Sequence, residues 1–144
     1  MKPGLKEGNT AEVEITVTDE MLARFEDDSV YELYSTSDLV HHMEWAARQT
    51  ILPYLEEHEA GIGCHVSLSH RMLTLGGMKV KLKATVTDVR DSKVECEVEA
   101  FNARGKLARG TVVQAILKKD WLEKKMREMS VIANITSEPQ TSLL

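Results

Sequence analysis

An α+β fold, with a curved antiparallel β-sheet wrapped around one long central α-helix, is what this sequence predicts, on three observations. The stretch from Ser35 to Leu55 has the longest helical periodicity in the chain. Several runs alternate apolar and polar residues with the period of two that marks a half-buried strand. These elements follow one another as strand, short helix, long helix and then four strands in antiparallel succession, an arrangement in which a sheet can bury one face on a single helix.

Taken in order, residues 1–9 are polar and contain Gly and Pro, and read as a loose lead-in. Ala11, Val13, Ile15 and Val17 alternate with Glu12, Glu14, Thr16 and Thr18 as a first strand. Thr18-Asp19-Glu20 is expected to cap a short helix reaching Phe25, ended by Glu26-Asp27-Asp28, and Val30 to Tyr34 is a brief extended piece. In the long helix Leu39, Met43, Ala47, Thr50 and Tyr54 share a face, flanked by Val40, Ala46 and Ile51. Ser35, Thr36, Ser37 and Asp38 are all capable caps for it. Pro53 removes one N–H and crowds the preceding turn, so the last turns should kink or tighten. Glu59 to Gly63 reads as a turn before a strand from Cys64 to His70. That strand has Cys64, Val66, Leu68 and His70 on one side and His65, Ser67 and Ser69 on the other. A hairpin turning at Val89-Arg90-Asp91-Ser92 would set Lys83, Lys81 and Lys79 against Glu95, Glu97 and Glu99. A turn at Asn102 to Lys106 leads to a strand from Leu107 to Leu117, apolar or small on both faces and so central in the sheet. Asp120 to about Glu128 can form a terminal helix, with residues 130–144 as a polar, mobile tail.

Composition narrows the function classes. At 144 residues the chain, 1–144, fits a single domain with a core that needs no disulfide or metal. Its net charge of −5 argues against a nucleic-acid binder. The N-terminus MKPGLKEGNT lacks a signal-peptide core, and no apolar run approaches the roughly 20 residues of a membrane helix. A cytoplasmic protein is expected, with Cys64 and Cys96 as small buried hydrophobes in a reducing compartment. Trp45 and Leu52, seven residues apart on the helix face away from the core stripe, are either an incidental pair or an oligomer contact.

Few residues remain for chemistry. His41 and His42 diverge by roughly 100° on a helix and no CxxC or HExxH spacing occurs, so no metal site is expected. Cys64 and His70 share a strand face but stand roughly 20 Å apart, too far for thiol activation. Gly76-Gly77 precedes a strand without the helix a phosphate loop requires. Glu44 and His70 are left, two ionisable groups directed toward the apolar sides of their elements. If sheet packs on helix they can converge as a carboxylate–imidazole pair suited to nucleophilic or general-base work. A buried Glu–His hydrogen bond that only satisfies the core is the competing reading, and chemistry alone does not exclude it.

The run Thr36…Glu44…His70, with Gly63 shortly before the histidine, resembles the fluoroacetyl-CoA thioesterase group of hotdog-fold thioesterases. The surrounding text is similar too: STSDLVHHMEWAA, PYL, GIGCHVSLSH and GMKVKLKATVTDV, from about Tyr34 through Leu117. The resemblance implies a hotdog fold and hydrolysis of an acyl-coenzyme A thioester by a homodimer or higher oligomer, with no cofactor beyond the substrate's own coenzyme A. It implies that Glu44 attacks the carbonyl or activates water, that His70 polarises the thioester or protonates the leaving thiolate, and that Thr36 orients the site. Gly63 and Cys64 backbone N–H groups are the candidates for the oxyanion contact. Eight helical residues rise about 12 Å, so Thr36 and Glu44 cannot touch along one straight helix; either Thr36 lies in chain that folds back before the helix or the site is completed across a subunit interface, which the resemblance favours. The segment Asp27 to Val30, comparable with that group's phenylalanine-bearing lid, contains no aromatic residue, and Val112, Val113 and Gln114 follow Gly110-Thr111 where the group often has His and Arg. The acyl group is therefore open. A hotdog module that binds acyl thioesters without turnover, and a hotdog enoyl-CoA hydratase-type enzyme, are the alternative readings.

Overall fold

Apolar faces decide the layering. In the computed structural model, which describes residues 1–25 and 28–143 and the side chains of all of these except 28–30 and 135–143, seven strands and two α-helices follow one another. They are β1 (Thr10–Thr16), β2 (Leu22–Phe25), β3 (Asp28–Tyr34), α1 (Thr36–Ile51), β4 (Glu59–His70), β5 (Lys79–Arg90), β6 (Lys93–Asn102), β7 (Gly105–Lys118) and α2 (Lys119–Leu143). Five strands make one antiparallel sheet in the order β1-β5-β6-β7-β4, and β2 with β3 makes a small hairpin beside it. The inward residues Val80, Leu82 and Val86 of β5, Val94 and Val98 of β6, and Leu107 and Val112 of β7 close over Leu39, Met43 and Ile51 of α1. Each such side chain, fully buried, contributes about 1.5–3 kcal/mol. This is the hotdog arrangement that the sequence implied, with α1 as the wrapped helix.

The start of α1 is fixed by Ser35, whose hydroxyl accepts the Asp38 N–H at 3.0 Å. Pro53 acts as expected: the α-helix stops at Ile51 and the chain tightens into a 3-10 turn, Leu52–Tyr54. The lead-in has no regular structure but is pinned, with Lys2 N–H donating to Tyr54 O and the Met1 ammonium pairing with Glu59 at 2.8 Å.

Several expectations change. The short helix over 18–25 is a single 3-10 turn at Asp19–Met21, because Leu22–Phe25 instead pairs with Asp28–Tyr34; Glu26 and Asp27, expected to end that helix, lie outside the described residues. Glu59 to Gly63 is not a turn but the first part of β4, running beside Gln114–Lys118 of β7. Its glycines are there for close approach rather than for a bend, since a Cβ on Gly61 would collide with Ile51 Cδ1. The β5–β6 hairpin turns on two residues only, Asp91 and Ser92, with φ of 49° and 67°. That tight turn, with a bulge between Val86 and Asp88, sets Lys83 opposite Glu99 rather than Glu95. On its other side Lys83 faces Glu12, so β1 supplies acids that the hairpin alone was expected to provide. The terminal helix runs to Leu143 rather than ending near Glu128.

Candidate active site

Two polar clusters form along β4, one at its C-terminal end and one at Gly63. At its C-terminal end His70 is the last strand residue, and Arg71 N–H bonds to Leu107 O to hold the chain on β7. Thr36, the first residue of α1, is brought there by β3, whose Tyr34 N–H donates to Thr74 O. Thr36 Oγ1 and His70 Nδ1 are 3.0 Å apart, hydrogen-bonding distance. Burial lowers the His70 pKa below its usual value, opposed in part by a backbone hydrogen bond at Met72, so the neutral ring is favoured. The Tyr34 ring stands edge-on to it, with centroids 6.2 Å apart. Thr36 and His70 line a cavity of about 260 Å³ walled by Ala23, Leu33, Tyr34, Met72 and Leu73.

Behind that cavity lies a pair that the sequence reading missed. Tyr34 Oη and His42 Nδ1 meet at 2.6 Å, with His42 only 7% exposed. Burial lowers the His42 pKa, with His41 adding to the effect and Asp38 opposing it, while burial and Asp38 raise that of the Tyr34 phenol. Position 42 falls at helical spacing between the core residues Leu39 and Ala46, which was the available signal.

Glu44 belongs to the other cluster, at Gly63 in the middle of β4. Its Oε2 lies so close to Gly63 that a Cβ there would sit 2.7 Å away. The local chain is bulged, since Gly63 pairs with Gln114 and His65 with Val113, leaving Cys64 as the extra residue. The bulge shifts the inward parity from Gly61 and Gly63 to Val66, Leu68 and His70. It also corrects the expectation for Cys64, which is exposed, with Sγ 3.5 Å from Val113 O, whereas Cys96 is buried. An unpaired bulge residue frees backbone groups from the ladder, and this one falls at Gly63-Cys64. Arg48 clamps the helix to this segment by donating to Gly61 O at 2.8 Å. Glu44, His41, Trp45, Arg48, Gly63 and Gln114 line a cleft of about 200 Å³. Gln114 is a second residue the sequence reading did not single out as functional; it shares the buried face of β7 with Val112 and Ile116.

Within one chain Glu44 and His70 therefore do not converge. Seven strand residues, about 23 Å at 3.3 Å each, separate Gly63 beneath Glu44 from His70. Thr36 and Glu44 sit two turns apart on α1, as the helix rise required. The strand joining the two clusters is the long outer edge of the sheet. Ile62, Gly63, Cys64 and His65 are exposed in succession along it; Trp45 of α1, which lines the cleft with Gly63, and Leu52 of the following 3-10 turn are each 41% exposed.

Comparison with known proteins agrees with this architecture. A sequence model of the fluoroacetyl-CoA-specific thioesterase family matches residues 17–120. The fluoroacetyl-CoA thioesterase of Streptantibioticus cattleyicolor is 27% identical over 97 residues, which is 67% of this chain and 70% of that protein. Among solved structures, a thioesterase superfamily member from Thermus thermophilus is 37% identical, with a TM-score of 0.89 over 92% of this chain and 98% of its own. A variant of the fluoroacetyl-CoA-specific thioesterase superposes with a TM-score of 0.81 at 23% identity, over 89% of this chain and 99% of that one.

Proposed function

The chain belongs to the fluoroacetyl-CoA-specific thioesterase family and is a thioester hydrolase of hotdog fold; from that premise we propose that it is a single-domain acyl-CoA thioesterase whose site is completed across a homodimer. The observation that carries the reading is the placement of Glu44 and of the Thr36–His70 pair at separate points along the edge strand β4, at Gly63 and at its last residue. An unpaired strand edge is a template for another strand. Two copies of β4 pairing antiparallel about a two-fold axis between Val66 and Ser67 set Gly63 against the partner subunit's His70. Glu44 of one chain then faces the Thr36–His70 pair of the other, twice per dimer. Trp45, which lines the cleft with Gly63 at that edge, would be covered by the second subunit.

In this site the Glu44 carboxylate attacks the thioester carbonyl carbon or takes a proton from the attacking water. Negative charge develops on the carbonyl oxygen, where the Gly63 and Cys64 N–H groups at the bulge are the donors. The Thr36 hydroxyl donates to His70 Nδ1, which keeps the ring proton on Nε2. That N–H polarises the thioester and hydrogen-bonds to the sulfur as the C–S bond breaks, and the departing thiolate takes up a proton that the attacking water gives up. Water supplies the second oxygen of the product in either route, hydrolysing the Glu44 acyl anhydride where Glu44 attacks the carbon, and the products are a carboxylate and coenzyme A thiol with one proton released. The reaction draws on no cofactor, coenzyme A being part of the substrate, and the free thiols of Cys64 and Cys96 suit a reducing cytoplasm. None of the described helices is long and apolar enough to cross a membrane.

Free-thiol release from a panel of acyl-CoAs, comparing wild type with Glu44→Gln and His70→Ala, tests the assignment. The wild type is expected to release thiol, and each variant to lose at least about 10²-fold in kcat/KM, the usual scale of an acid–base contribution. Unchanged hydrolysis in both variants overturns the residue roles. Binding of thioesters by a wild type that hydrolyses none of them favours a binding module instead.

A further inference from the structure

The C-terminal helix carries an apolar stripe that the mechanism above does not use. Leu122, Met126 and Met129 recur at helical spacing along α2, with the charged Glu123, Lys124, Lys125 and Arg127 between them. Met126 and Met129 are 64% and 63% exposed. A second apolar patch follows β4, where Leu73 and Leu75 are 71% and 56% exposed. The backbone that carries these leucines is held in place, since Tyr34 N–H donates to Thr74 O at 2.8 Å and Asn102 Nδ2 to Leu73 O at 3.3 Å. They are therefore presented on a fixed segment, and Leu73 also walls the Thr36–His70 cavity. Apolar side chains exposed together in this way mark a contact surface.

The shared site brings stripe and patch to the same place. With Gly63 facing the partner's His70, the partner's chain leaves its own β4 toward the end of the paired strands at which β4 begins, at Glu59. The start of α2 is at that end too, because Glu59 pairs with Lys118 and Lys119 N–H donates to His58 O at 2.8 Å. The end of β7, from which α2 continues, is two strand spacings, about 9.6 Å, from the partner's β4. That is about the distance between the axes of packed helices, so a helix starting there is within reach of the partner's surface.

We propose that α2 docks on the second copy of this chain, its Leu122–Met126–Met129 stripe packing on the partner's Leu73 and the partner's Leu75, twice per dimer. The inference rests on the shared-site reading and adds the surface that holds the two chains together beyond the β4 edge. A second copy is the occupant because the two-fold axis that completes the active site also sets stripe and patch at one end of the paired strands.

The test measures the dimer dissociation constant by analytical ultracentrifugation for wild type, Met126→Glu, Met129→Glu and Leu73→Glu, with Lys124→Glu as a change on α2 outside the stripe. A carboxylate buried in an apolar contact is costly and the contact occurs twice, so each of the first three is expected to weaken the dimer by about 10²-fold, and Lys124→Glu by less than about threefold. Benzoylphenylalanine placed at Met126 of an isotope-labelled chain, mixed with unlabelled chain and irradiated, is expected to cross-link to residues 71–75 of the other chain. Unchanged dissociation constants in all three variants overturn the proposal and leave the shared site standing, as do equal weakening by Lys124→Glu or cross-links confined to one chain. A wild type that stays monomeric at micromolar concentration contradicts the shared site itself, and the helix contact with it.

Discussion

Adding one methyl group at Gly63 should disable the enzyme while leaving the fold nearly intact. In Gly63→Ala the new Cβ would lie 2.7 Å from Glu44 Oε2, against an ordinary contact of 3.4 Å or more, so about 0.7 Å of movement is needed. The carboxylate is the far end of a flexible side chain and can yield, whereas the backbone of β4 is held by its ladder to β7. Glycine inside a strand also costs conformational entropy that alanine recovers. The net change in stability is therefore expected to stay within about 1 kcal/mol, or about 3–4 °C in Tm for a chain of this size. Catalysis has no such tolerance, because a displacement approaching 1 Å at a reacting group costs on the order of 10²-fold. Thiol release with the best acyl-CoA, alongside thermal unfolding of the same preparations, reads both quantities. Near-wild-type kcat/KM in a folded Gly63→Ala protein would refute the placement of the reacting carbonyl between Glu44 and the bulge. A fall in Tm of 10 °C or more would show instead that the glycine is a packing requirement.

Two further outcomes concern the buried pair behind His70. Tyr34→Phe removes the 2.6 Å bond to His42 and leaves a buried ring nitrogen unpaired, which should cost about 1–3 kcal/mol and lower Tm by roughly 3–10 °C. A Tm within 1 °C of wild type would show that the bond contributes little. Burial lowers the pKa of both His42 and His70 from 6.5, so the unfolded chain binds more protons than the fold in the window beneath that value. The stability from these neutral rings is fully present above about pH 6.5 and is lost as pH falls through their depressed pKa values. Thermal unfolding between pH 7.5 and 5, above the range where most carboxylates titrate, should show Tm declining, and a constant or rising Tm would contradict the burial account.

What the sequence made legible follows from which interactions are local. Period-two alternation in β1, β5 and β6 and the capped helical run of α1 announce the elements and the layer they form, because burial on one face leaves that trace in the chain itself. Register was less accessible. Charge complementarity suggested Lys83 against Glu95, but Asp91 and Ser92 in left-handed conformation set the turn, and β1 offers Glu12 as an equally good neighbour. Gly61 and Gly63 read as turn residues because a sequence does not distinguish a glycine that bends the chain from one that admits a helix side chain. The Thr36–His70 contact joins residues 34 apart in sequence, and spacing alone does not bring them together; the family resemblance named them and the fold puts them at 3.0 Å. Gln114 escaped notice because one amide in an apolar strand looks like an ordinary interruption until its nitrogen, without a partner among the described residues, is seen in the cleft with Glu44.

Subunit complementation tests the shared site most directly. Glu44→Gln and His70→Ala are each expected to be inactive alone. Mixed in equal amounts, dissociated and reassociated, half of the dimers combine one chain of each kind. Such a heterodimer has one site with both defects and one with an intact Glu44 facing an intact Thr36–His70 pair, so activity should return to about a quarter of wild type. Continued inactivity of a mixture shown by mass spectrometry to contain heterodimers would contradict a site built from both chains.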